Sequence, residues 1–205
     1  MQIPNDVHPI EQFYIQSTFS FYKNLKFVIK QADIVNKEIF SRENKNYNSI
    51  FSLEAFVSQK TVFCNANLID FNNNDDYFEI QLQQQVGNID IQNPESNQTV
   101  VSIVYEHEQF TSVLEKQFIK WWEEDVRDKI ITKYGELKNA NSMCQFARQL
   151  RNSFGHSKIN VTANNCLDPV WNGLNLRNNN GKNIYTLLTV GDIINFWIEF
   201  EKSEL

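Results

Sequence analysis

The chain has 205 residues, which suits one domain of ordinary size. Hydrophobic residues make up 41%, including 16 phenylalanines, so a sizeable core can be buried. The formal net charge of −6 argues against a generic nucleic-acid binder, which usually carries a basic excess.

In chain order, residues from about 10 to 42 read as a long helix, with Phe13, Phe21, Leu25, Val28, Ile29, Ala32 and Val35 at three- and four-residue steps. Ser41 to Asn48 is polar and reads as a loop. The stripe Ile50, Leu53, Phe56, Val57 and Phe63 predicts a second helix over about 49–69, ended by the Asn/Asp run at 72–76. Residues 75–108 are ambiguous. Phe78, Ile80 and Leu82 alternate like a strand, whereas Phe78, Leu82 and Val86 fit a helix closed by Gly87. Thr99 to Tyr105 is β-branched and reads as a strand or a helix start. The span of about 72–108 is read as an irregular insertion in a single domain, 1–205. A strong helical signal returns from Phe110 to about Tyr134 and stops at Gly135. Another helix covers about Ala140 to Phe154. Ile159 to Val161 and Val170 to Leu176 read as short strands, and Asn178 to Gly181 as a turn. A last helix runs from about Val190 to Lys202, with Asp192 as a cap or first-turn acid. The expected architecture is mainly α: a bundle of about five helices with a small β-hairpin excursion before the last one.

Chemistry concentrates in Arg151-Asn152-Ser153-Phe154-Gly155-His156. At about 100° per residue, Met143, Ala147, Leu150 and Phe154 share one face of their helix. Asn152 lies almost opposite, with Arg148 and His156 one turn to either side and Arg151 on the flank. These are the groups needed to cleave RNA without a metal. The 2′-hydroxyl attacks the adjoining phosphate, one group takes its proton, and another protonates the leaving 5′-oxygen. Imidazole, with a pKa of about 6.5, can do either. Arginine's planar fork holds the charge that builds on the phosphate. Five residues separate Arg151 from His156, about 140° around a regular helix. Convergence therefore calls for a helix break at Gly155 or for a second subunit. Lys138 to Lys182 holds six cations, Arg148 and Lys158 among them as candidate substrate contacts, against one acid, Asp168. Glu106 to Asp128 is the reverse, with seven acids against three cations. Such segregation is what a localised polyanion site would show.

Arg-polar-x-x-x-His near a helix end resembles the signature of HEPN domains. The stretch Phe146 to His156 is similar to it in full, and Trp171-Asn172-Gly173 and Gly191-Asp192 are similar to one prokaryotic branch of that superfamily. The resemblance implies a helical bundle that dimerises with two motifs facing across a cleft. It implies an endoribonuclease of the toxin–antitoxin or phage-defence kind, and Arg151, Asn152 and His156 as the catalytic set. Two chains would supply the two histidines that acid and base require. The partners implied are RNA, a second copy of the chain, and an antitoxin or other protein. A catalytically inactive module that binds RNA or a protein is the alternative.

Other features read more plainly. Cys64, Cys144 and Cys166 fit no metal or disulfide pattern and are expected as reduced thiols of a cytoplasmic protein. No signal peptide or membrane-spanning run is evident. Trp121-Trp122 reads as core and interface rather than as a base-stacking platform. His107, between two glutamates, reads as an acidic patch and His8 as tail. Gly181-Lys182 lacks the rest of a phosphate loop. No metal and no cofactor is expected.

Overall fold

The computed structural model describes residues 11–73, 75–84, 101–102, 108–155, 160–162 and 168–205. The element order begins with β1 (Glu11–Gln16), α1 (Tyr22–Arg42), β2 (Ile50–Leu53), β3 (Lys60–Asn65), β4 (Tyr77–Gln84) and β5 (Val101–Ser102). It continues with α2 (Glu108–Trp121), a π-helical segment (Trp122–Val126), α3 (Arg127–Tyr134), α4 (Ser142–Gly155), β6 (Val170–Trp171), β7 (Leu174–Asn175) and α5 (Val190–Glu204).

This is a mixed α/β fold, and it corrects the expectation of a mainly α bundle of about five helices. A five-stranded sheet in the order β1-β4-β3-β2-β5 accompanies the helices. Its pairs are antiparallel except for the parallel contact of β2 with β5. Two stretches read as helix contribute to it. Residues 11–16 alternate with a period of two, burying Ile15 and leaving Tyr14 exposed, and a turn at Ser17–Phe21 separates them from α1. Residues 50–65 form β2 and β3, which bury Phe51, Leu53, Val62 and Cys64. Their apolar residues satisfy helical spacing too. The decision falls to long-range pairing: β3 hydrogen-bonds β4, and positive φ at Ser49 (61°) and Gln59 (55°) interrupts a helix at both places. Within the stretch read as an irregular insertion, Tyr77–Gln84 lies between β1 and β3, and Phe78, Ile80 and Leu82 all turn into the core.

The other helices follow the sequence closely. α2, the π-helical segment and α3 run on without a break to Gly135, whose φ of 79° ends α3 with its N–H on the Ile131 carbonyl. Trp121 and Trp122 are both buried, and the Trp121 indole donates to Ser20 Oγ at 2.8 Å. The hairpin before the last helix lies inside the stretch read as one strand, Val170 to Leu176: it is β6–β7, turning at Asn172 (φ 46°) and Gly173 (φ 79°), the positive-φ pair that a two-residue hairpin loop favours. Asn160 forms an isolated bridge with Asn183, and Ile159 lies outside the described residues.

α5 ties the layers together. Its Phe196, Trp197 and Phe200 join Phe118, Trp121, Phe146 and Trp171 in one aromatic cluster. At its N-terminus Thr189 and Asp192 form a capping box. The buried Asp192 carboxylate also accepts the backbone N–H groups of Phe56, Val57 and Ser58 in the loop after β2. A Cβ on Gly191 would stand 2.6 Å from the Leu53 carbonyl oxygen and nearer still to that of Glu54. Glycine is therefore what lets the helix start lie against the end of β2.

Candidate functional site

α4 positions the motif. Asn141 Oδ1 accepts the Cys144 N–H and so caps the helix start. Ala147, Leu150 and Phe154 are buried, and Met143, expected beside them, is half-buried. Phe154 meets Phe118 of α2 edge to face at 5.4 Å, fixing the end of α4 against α2. Arg148, Arg151 and Asn152 are half-buried along the other side.

Arg151 is held by two neighbours. Its Nη2 lies 2.6 Å from Glu123 Oε1, and its Nη1 donates a long hydrogen bond (3.5 Å) to Asn152 Oδ1. Its Nε is buried without a hydrogen-bond acceptor among the described residues. Glu123 belongs to the π-helical segment, where the wider turn resets which side chains face α4. α4 is helical through Gly155, its last residue, and a break just before His156 falls outside the described residues. The guanidinium lies over Gly155, with Nη1 3.5 Å from where a Cβ would stand. His156 and Lys158 lie outside the described residues, as do His8, His107 and Cys166. The structure thus brings Arg151 and Asn152 together, leaves Arg148 on the same helix without a described contact between them, and does not describe the remaining two.

Two acids escaped the sequence reading. Glu123 was one charge among seven in an acidic segment, and only the fold pairs it with Arg151. Glu115 of α2 accepts a hydrogen bond from the Tyr185 hydroxyl at 3.0 Å, and the Tyr185 ring stacks on Phe154 at 6.1 Å. Burial raises the Glu115 carboxyl above the ordinary glutamate value, against the lowering effects of the Tyr185 hydrogen bond and Lys116. Burial and the Glu115 charge together raise the Tyr185 hydroxyl, which remains a donor. The pair adjoins the last turn of α4. No periodicity signal links residues 115 and 185.

The basic segment is less open than its sequence implies. Glu123 neutralises Arg151, and Lys138 sits 2.8 Å from Glu136. Buried Cys64 and Cys144 are free, and burial pushes each thiol up to about 12, so both are poor nucleophiles. Among the described residues no three His, Cys, Asp or Glu side chains gather as metal ligands, and no helix is long and apolar enough to cross a membrane. Comparison with family models, with curated proteins and with solved structures gives no match.

Proposed function

We propose that the C-terminal end of α4 is half of a metal-independent endoribonuclease site, completed by the same end of a second copy in a homodimer. The observation that carries this reading is the orientation of Arg151. Its guanidinium is held by Glu123 and adjoins Asn152 in the last turns of the helix, and His156 follows directly in the sequence. A guanidinium fixed before substrate arrives loses little on meeting the transition state. In the reaction, one imidazole accepts the proton of the 2′-hydroxyl as its oxygen attacks phosphorus. The bond from phosphorus to the 5′-oxygen breaks, and the second imidazole supplies a proton to that oxygen. Arg151 balances the charge on the non-bridging oxygens, and Asn152 orients the phosphate or the ring. Arg148 and Lys158 are the substrate-binding cations of this reading. The setting is a cytoplasmic toxin–antitoxin or phage-defence system with an antitoxin or other protein partner. The resemblance to HEPN domains enters through this motif, with Trp171-Asn172-Gly173 and Gly191-Asp192 beside it; the five-stranded sheet is no part of what it implied.

One observation favours a second reading. Glu123 already neutralises Arg151, as expected of a bridge that only joins α4 to the π-helical segment of a non-catalytic RNA- or protein-binding module. Turnover separates the two. Purified protein is expected to cleave RNA in excess EDTA, and His156→Ala to lose at least about a hundredfold in rate. Absence of cleavage, or a His156→Ala variant as fast as the parent, overturns the nuclease reading.

A further inference from the structure

We propose that the outer face of α1 is a second polyanion site that takes a short stretch of single-stranded RNA. The inference goes beyond the nuclease reading and does not depend on it. Lys23, Lys26 and Lys30 recur at steps of three and four along α1, so they share one side of the helix over about 10 Å. They line a cleft of about 290 Å³ between α1 and the loop that carries Phe71. Among the described residues no carboxylate lines it directly, and the Asp70 carboxylate accepts the Asn72 and Asn73 N–H groups in the same loop. A larger cleft of about 640 Å³ adjoins it, sharing Tyr22, Lys23 and Phe27, and it also carries Lys120, Glu124 and Asp125.

Three aromatic rings line the cleft among these lysines, Phe27, Phe71 and the buried Tyr22. Phe27 is 44% exposed, although α1 buries its other large apolar side chains nearby, Leu25, Val28 and Ile29. Lys30 Nζ lies 5.7 Å from the centre of the Phe71 ring, and Lys26 Nζ lies 5.5 Å from that of Tyr22. Lys26 also donates to the Asn73 carbonyl at 2.7 Å, which fixes the cleft wall and leaves Lys23 and Lys30 as the cations for a ligand. Cations that follow a backbone, beside rings on which bases stack, are what single-stranded nucleic acid requires. The amides of Gln31 and Asn72 can meet base edges, whereas that of Asn73 donates to Asp70. An acidic peptide would use the lysines and leave the rings idle. The cleft and the Arg151 end of α4 also use different residues of α2. Asn24 of α1 bonds Gln117, whereas Phe154 of α4 packs on Phe118. The two sites can therefore be disabled separately.

The test is fluorescence anisotropy with a labelled 2′-O-methyl oligouridylate, which cannot undergo 2′-hydroxyl attack, so binding is read apart from cleavage. Lys23→Gln/Lys30→Gln is expected to weaken binding at least tenfold, roughly, and to flatten the salt dependence by about two ions. Phe27→Ala is expected to weaken it about fivefold to a hundredfold. Circular dichroism should show both variants folded, since Lys23 and Phe27 are exposed and Lys30 is half-buried at the cleft surface. His156→Ala should bind as the parent does. A parent protein that ignores the probe, cleft variants that bind like the parent, or polyglutamate displacing the probe as well as unlabelled oligouridylate would each overturn the inference. Binding lost in the cleft variants by a protein that cleaves nothing sustains it and rejects only the nuclease reading.

Discussion

Arg151 reaches its neighbours from a half-buried position, and Glu123 is about as exposed, so their ion pair is screened by water on one side. A double-mutant cycle of Glu123→Gln with Arg151→Gln should give a stability coupling of about 0.5–1 kcal/mol in chemical denaturation. A coupling near zero would remove Glu123 as the group that holds the guanidinium. Glu115 offers a second test at this scale. Its folded-state pKa is raised, so the protonated form is favoured in the folded protein, and its contribution to stability is present at low pH. That contribution is lost as pH rises through the ordinary glutamate range and beyond it. Glu115→Gln keeps an acceptor for Tyr185 and removes the titration. The variant should therefore gain in melting temperature over the parent as pH increases, with the gain vanishing in acid. An offset that does not change with pH contradicts this assignment. Neither acid was legible beforehand, because each acquires its role from a partner far away in the chain, whereas Arg151 and Asn152 stood out as adjacent residues of one motif.

Among the elements, α4, α5 and the rod from α2 to α3 were readable because one apolar face each is enough to dock them, and period and length leave no competing choice. β1, β2 and β3 were not, since short apolar runs such as Ile50 to Leu53 satisfy both periods and only pairing with β4 decides between them. The alternation of Phe78, Ile80 and Leu82 was visible, but nothing local announced that this strand lies inside the sheet. Asp192, read as a cap or first-turn acid, is the first-turn acid of the capping box whose N-cap is Thr189, and its larger role in collecting the N–H groups of residues 56–58 depends on the fold. Gly191 tests that junction. Gly191→Ala should destabilise the protein by about 1–3 kcal/mol, measured as a lower denaturant midpoint, because its methyl group meets two fixed carbonyl oxygens. An unchanged midpoint would mean that β2 and α5 can separate freely. Gly155→Ala is the contrasting case, since the methyl would reach ordinary contact with Arg151 and should be tolerated.

For the whole molecule, folding joins the acidic segment Glu106 to Asp128 and the basic segment Lys138 to Lys182 through Glu123 and Arg151, so the expected local positive field is partly neutralised within one chain. The lysine face of α1 was not singled out, because its lysines are interleaved with the apolar residues that mark the helix and its aromatic partner Phe71 comes from a distant loop. The catalytic claim nonetheless rests on α4. Its most direct test is the chemistry of the RNA ends after incubation with purified protein in EDTA. The account predicts 2′,3′-cyclic phosphate and 5′-hydroxyl termini, produced by the parent and not by Arg151→Ala. Uncleaved RNA, or products ending in 3′-hydroxyl and 5′-phosphate, would contradict it.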